Sequence, residues 1–141
     1  MKITSFVYCE KSVGDDLGRC LVVNPVQMFM VPKFPATLDY CIAIGLFDVK
    51  KKGETVMTIR LVDEDNNTIK FDTLRLNEVP AEQGRTRNPI SAHLAVDLRG
   101  IEIPHSGTYT TIVCADGDEL GRYSIDVRDN EDDKEIVVTL N

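Results

Sequence analysis

The sequence has no tryptophan, only two histidines, four scattered cysteines and no long hydrophobic run, and each shortage narrows what the chain can be. The longest apolar stretch, Tyr40 to Phe47, has the length of a strand, whereas a membrane-spanning helix needs about 18 or more apolar residues in a row. After Met1-Lys2 the alternating Ile3-Thr4-Ser5-Phe6-Val7-Tyr8 soon meets Glu10 and Lys11; a secretory signal needs about 7–15 consecutive apolar residues. The expectation is a cytoplasmic protein without a membrane partner. Cys9, Cys20, Cys41 and Cys114 form no Cys-x-x-Cys pair, and structural zinc prefers closely spaced ligand pairs. They read as free thiols that pack like small hydrophobes, with a disulfide left open should the protein be exported. No glycine-rich phosphate loop occurs, since Gly84 alone before Arg85 is not one.

The two histidines limit catalysis as well. His93 alternates with apolar neighbours beside Asp97 and Arg99, the pattern of a solvated strand face. His105 precedes a turn, where a local structural role is the default. No nucleophile elbow accompanies either one, so the chain is expected not to be an enzyme and to need no cofactor. Acidic residues outnumber basic ones, 23 to 16, for a net charge of −7. Nucleic-acid binding draws on Lys and Arg neutralising phosphates, so no nucleic-acid partner is expected.

What the chain does have is enough substance for one domain. A chain of 141 residues buries roughly 68–70% of its unfolded surface without help from metal or disulfide. Its hydrophobic fraction of 43% and charged fraction of 28% are those of a folded protein.

The dominant pattern is alternation with period two. Ala92, Leu94, Val96 and Leu98 oppose His93, Asp97 and Arg99. Met57, Ile59 and Leu61 oppose Thr58 and Arg60, and Tyr123, Ile125 and Val127 oppose Arg122, Ser124 and Asp126. Each set reads as a strand with one face buried and one wet. Leu38 to Val49 is apolar on both faces, which suggests a central strand covered on both sides or buried in an oligomer. Two more apolar strands, Arg19–Val23 and Val26–Val31, flank Asn24-Pro25, and Pro32, Phe34 and Pro35 then break the ladder. Turn residues separate these runs at Asp15-Asp16-Leu17-Gly18, Lys51-Lys52-Gly53, Asp63 to Asn67 and Asp116-Gly117-Asp118. Strands of this length and spacing predict an all-β chain, a single antiparallel β-sandwich. At most one helical turn fits, near Ala81–Gly84. The sandwich is expected over residues 1–128. Residues 129–141 read as an acidic linker and an extra strand, packed on the same domain or on a partner.

Three places invite a binding reading. The loop from Asn77 to Pro89 carries Arg85 and Arg87 around Thr86, a pair able to clamp a carboxylate or phosphate; solvated arginines are the plainer reading. In the tail, Ile136, Val138 and Leu140 alternate after the acidic run Asp129-Asn130-Glu131-Asp132-Asp133. That strand either packs on its own sheet or adds to the edge of a partner, which could be a second copy. Asp63, Asp65 and Asn67 have the alternate spacing of calcium loops but lack the glycine and distal glutamate of the helical version. A polar hairpin turn is the plainer reading; a calcium site would draw on a second turn such as Asp116 and Asp118.

Ile103-Pro104-His105-Ser106-Gly107-Thr108-Tyr109, leading into Thr110–Cys114, resembles the tyrosine corner of immunoglobulin-type sandwiches. Thr111 stands where those domains carry their second cysteine, and the tryptophan that packs on their disulfide is missing. Over residues 3–127 the chain also resembles an uncharacterised family of small bacterial and phage proteins. The matching features are the Tyr8-Cys9 strand, the Phe34-Pro35 break, Ile59-Arg60-Leu61-Val62-Asp63-Glu64-Asp65, and Leu98 to Ile103 running into Pro104 and the Gly107-x-Tyr109 corner. The resemblance implies an immunoglobulin-like β-sandwich in a bacterial or phage setting and brings no activity with it. The expected function is non-catalytic: a protein-binding or structural sandwich with an unidentified protein partner, a phage inhibitor of a host protein being one form it could take. The alternative is a small-ligand or carbohydrate-binding module assisted by calcium.

Overall fold

An alternating strand hides its apolar face only by laying it against a second sheet. The computed structural model describes residues 1–14, 19–49, 53–76 and 90–130, and they do this with nine strands and no helix. In chain order these are β1 (Lys2–Gly14), β2 (Cys20–Pro25), β3 (Met28–Val31), β4 (Ala36–Val49) and β5 (Thr55–Val62). They continue with β6 (Thr68–Leu76), β7 (Ile90–Ile103), β8 (Gly107–Ala115) and β9 (Asp118–Asp129). One sheet has the order β2-β1-β4-β7 and the other β3-β9-β8-β5-β6. All pairings are antiparallel except that of β3 with β9. The chain is therefore all-β with two sheets, as the alternation requires.

The three cleanest alternating sets bury the expected side. Met57, Ile59 and Leu61, then Ile125 and Val127, then Val96 and Leu98 enter one core between the sheets. Two details go beyond the sequence reading. The two strands that meet near Asn24-Pro25 belong to different sheets, which the sequence reading left open. Pro25 ends β2 opposite Cys9, and the chain then crosses to the other sheet, where β3 runs beside β9. A proline fits there because β2 is an edge strand with no further ladder to donate to. The strand β6 was hidden by its own sequence. Leu74 and Leu76 pack on the core while Phe71 faces solvent, and a register shift between Leu61 and Val62 breaks the period.

Apolar residues on both faces of β4 have a simple cause. Tyr40, Ile42, Ile44 and Leu46 point into the core, and Cys41 and Ala43 point the other way, onto Cys9. Val7, Cys20 and Val22 flank that second cluster. It is built from β1, β2 and β4 of the one sheet, so no outside layer is needed to explain it. The two-residue loop Asp116-Gly117 joins β8 to β9 with both residues at positive φ, +48° and +87°, as a type I′ hairpin turn demands. The proposed helical turn near residue 81, the acidic linker and the terminal strand lie outside the described residues.

One polar contact crosses the core. Tyr8 on β1 donates its hydroxyl proton to the Tyr123 carbonyl at 2.7 Å and accepts from the Thr111 hydroxyl at 2.6 Å. Burial pushes the Tyr8 phenol up to about 12, so it stays a neutral donor throughout the physiological range. Phe6, Tyr40 and Phe29 surround the ring, and Phe6 stacks on Tyr123 at 4.0 Å. Tyr8→Phe strands a buried hydroxyl and a buried carbonyl and is expected to cost about 1–3 kcal/mol. Urea unfolding measures this, and Tyr8→Phe combined with Thr111→Val should be less destabilised than the sum of the two single changes.

Candidate functional site

The sequence pointed to a carboxylate turn, and the structure explains that turn without a ligand. Between β5 and β6, Asp63 Oδ1 accepts the backbone N–H of Asp65 at 3.0 Å and of Asn67 at 2.8 Å. Its Oδ2 accepts from Asn67 Nδ2 at 3.1 Å. Asn66, at φ +65°, lets the chain turn around this carboxylate, and the Asp63 N–H donates to the Asn67 carbonyl to close it. Both oxygens of Asp63 are thus committed to the turn, and the residue is buried. The other proposed carboxylates are elsewhere. Asp116 lies at the far end of β5, where its Oδ1 accepts from Val56 N at 3.0 Å. Seven steps of strand, from Val56 to Asp63, separate the two turns, about 23 Å at about 3.3 Å per residue. The structure therefore does not bring Asp63, Asp65 and Asn67 together with Asp116 and Asp118. Among the described residues no group of three or more His, Cys, Asp or Glu is placed to hold a metal ion.

The same end of the sandwich carries the corner at the start of β8. The Tyr109 hydroxyl donates to the His105 carbonyl at 2.6 Å, four residues upstream. His105 Nε2 stands 3.7 Å from Asp63 Oδ2, and Glu64 Oε1 accepts the Thr108 N–H at 2.8 Å. The β5–β6 and β7–β8 turns are therefore stitched to one another, and His105 serves that joint. His93 is on β7 of the other sheet, opposite Gly45 and exposed. The two imidazoles share no site.

Three thiols cluster on the outer side of the four-stranded sheet. Cys9 and Cys41 are directly opposite on β1 and β4, both fully buried, and Cys9 Sγ donates to the Cys41 carbonyl at 3.6 Å. Cys20 Sγ is 2.9 Å from Ser12 Oγ. All four cysteines are free. Burial raises the Cys9 thiol and pushes Cys41 up to about 12, the opposite of what a nucleophile or redox centre requires.

One surface combines the groups that usually recognise proteins, and sequence reading did not assemble it. On the outer face of the five-stranded sheet, Phe71 of β6 lies opposite Arg60 of β5. Arg60 lies opposite Ile112 of β8, and Ile112 opposite Arg122 of β9. These four side chains form one row across four strands. Ile112 is 3% exposed although it belongs to the outer face, while Phe71 at the end of the row is 54% exposed. Arg122 is paired with Glu119 at 2.9 Å, but Arg60 makes no hydrogen bond or ion pair among the described residues. The only signal in the sequence was the alternation that put Arg60 opposite Met57, Ile59 and Leu61; nothing local joins it to Phe71, Ile112 or Arg122. Of the proposed partner-binding residues, Arg85, Arg87, Ile136, Val138 and Leu140 lie outside the described residues.

Two outcomes follow from this geometry. The Asp63 carboxyl is held below its ordinary 3.8, chiefly by the Asn67 N–H. Its stabilising effect is then complete above about pH 5 and is lost as pH falls through the lowered native value. Asp63→Asn should flatten the acid limb of stability; equal slopes for both proteins in urea midpoints from pH 6 to 2.5 would refute the assignment. In native protein at pH 8, Cys9 and Cys41 should resist a disulfide reagent until urea is added, which mass spectrometry of the modified chain reads directly.

Comparison with known sequence families matches residues 4–128 to a "Family of unknown function (DUF6941)". No curated protein matches the chain.

Proposed function

The chain belongs to this family of unknown function, and from that premise we propose that it is a non-catalytic, immunoglobulin-like protein-binding domain that works through the outer face of its five-stranded sheet. The observation that carries the reading is the row Phe71, Arg60, Ile112 and Arg122. An arginine with no hydrogen bond or ion pair among the described residues, beside an exposed aromatic ring and a buried aliphatic side chain, is the composition of an interface hot spot. The groups that chemistry would need are engaged otherwise: Asp63 in a turn, His105 at a joint, Cys9 and Cys41 in packing.

The immunoglobulin-like reading is supported by strand order and by the corner. Taking β1, β4 and β7 as strands A, B and E, the facing β9, β8, β5 and β6 follow the order G, F, C and C′. Tyr109 then sits near the start of strand F with its hydroxyl bonded upstream. Thr111 occupies the second-cysteine position of strand F, and its hydroxyl bonds to Tyr8 of strand A in the opposite sheet, whereas immunoglobulin domains tie this position to strand B by a disulfide. A bacterial or phage setting, with a host protein as target, is the context that the sequence resemblance supplies.

Photo-crosslinking distinguishes this face from the rest of the surface. A photoreactive residue at position 71 or 73 should give a discrete protein adduct in expressing cells, and one at 93 or 95, on the outer side of the other sheet, should not. Adducts from 93 or 95 alone, or from none of the four, would reject the assignment.

A further inference from the structure

Strand β6 carries the aromatic end of the row and is also an edge. Among the described residues β5 pairs one side of it and no strand pairs the other. An open edge of nine residues without proline is a template for a further strand. The centre of β6 decides which strand fits. Phe71 is exposed on the outer face, and Lys70 and Asp72 flank it on the inner side, opposite Leu61 and Ile59. The two charges stand 3.9 Å apart and keep side-chain exposures of 45% and 34%. A partner strand therefore has to set an acid against Lys70 and a base against Asp72, two positions apart, with an apolar residue between them for Phe71.

Strand β6 itself meets that demand. When two copies pair antiparallel about a two-fold axis, facing residue numbers sum to twice the central one. Centred on Phe71, the axis sets Phe71 against Phe71 of the second copy, Lys70 against its Asp72, and Asp72 against its Lys70. Centred one residue earlier it opposes lysine to lysine, and one later aspartate to aspartate. Only the middle register is free of like-charge contact. Its four charges alternate in sign around a ring, so each gains a second opposite neighbour. Both kinds of antiparallel pair accept such an axis, so the register does not depend on which of these residues bonds to β5. We propose that two copies of the chain pair along β6 about Phe71, joining their five-stranded sheets into one continuous sheet. The contact uses the same edge of both copies and so closes at a dimer. The proposal rests on the protein-binding reading of the outer face and names a second copy as its partner.

The two long segments of the chain outside the described residues do not fit this edge. Residues 77–89 hold Glu78, Glu82, Arg85 and Arg87, with no acid and base two positions apart. In residues 131–141 only Asp132 and Lys134 have that spacing. Asp129 ends β9 seven residues beyond Arg122, which shares the row of Phe71. A strand added beside β6 is four strands over from β9, so a position opposite Lys70 is about 19 Å sideways and about 20 Å along, or about 28 Å away. Asp132 is three residues past Asp129, about 11 Å of extended chain. Glu135, the last charged side chain, reaches about 21 Å. The residues that do reach, Ile136 to Asn141, carry no charged side chain to answer Lys70 and Asp72.

The test uses full-length protein throughout. Analytical ultracentrifugation should give twice the 15.8 kDa chain mass. Lys70→Asp and Asp72→Lys each set like charges across the axis, and each should raise the dimer Kd by about tenfold or more. Mixed in equal amounts, the two variants again oppose acid to base and should form a dimer with one chain of each, which native mass spectrometry resolves. A strand supplied by the same chain cannot produce association on mixing. Both changes in one chain should return the wild-type Kd, and that variant carries the test should thermal melting show either single change to fold poorly. A monomeric wild-type chain overturns the proposal, as does a dimer indifferent to both single changes or a pair of folded variants that do not combine. A position 71 adduct of twice the chain mass supports both readings. An adduct there with a different protein, from a chain that sediments as a monomer, removes self-pairing and leaves the protein-binding reading standing. No adduct at 71 or 73 removes both.

Discussion

Tyr8 lies where the two sheets of this protein must agree. Its ring is packed among Phe6, Phe29 and Tyr40, and its hydroxyl reaches Thr111 and the Tyr123 carbonyl on the facing sheet. Apolar packing alone tolerates sliding of one sheet over the other, because dispersion contacts are weakly directional. A buried hydroxyl with two partners does not, since any slip leaves polar atoms unpaired in a medium where that is costly. The distances at this one residue therefore fix how β1 sits over β8 and β9.

The two outer faces differ. On the four-stranded sheet the outward positions midway along β1 and β4 include Cys9, Cys41 and Ala43, small side chains that their neighbours cover. On the five-stranded sheet the row through Arg60 is long or aromatic, and it leaves an arginine and a phenylalanine at the surface beside a shielded isoleucine. The middle of the first face is covered by its own strands. The second presents charge and ring together at its surface.

The ends of the sandwich show a third use of polar groups. Asp63 and Glu64 follow β5, and His105 and Tyr109 bracket the entrance to β8. Their hydrogen bonds tie two turns distant in sequence into a single corner. A run of acidic residues that looks like a cation loop in the sequence is here consumed by backbone N–H groups, which is the ordinary fate of an aspartate at the start of a tight turn.

Much of this was legible in the residues. Alternation at 57–61, 92–98 and 123–127 determined the strands and their buried sides, because the side chains of a strand have no other way to sort than by parity. Asp116-Gly117 determined a hairpin, because few other pairs accept positive φ twice. The Gly107-x-Tyr109 corner was visible because its hydrogen bond spans only four residues. What tertiary structure alone decided depends on contacts far apart in the chain. The crossing of β3 to the second sheet, the bond between Tyr8 and Thr111, and the row from Phe71 through Arg60 and Ile112 to Arg122 join residues separated by ten to more than a hundred positions. Parity says which side of its own strand a residue occupies. Which residues of other strands stand beside it is set by register, and register belongs to the packed sheets rather than to any local stretch of sequence.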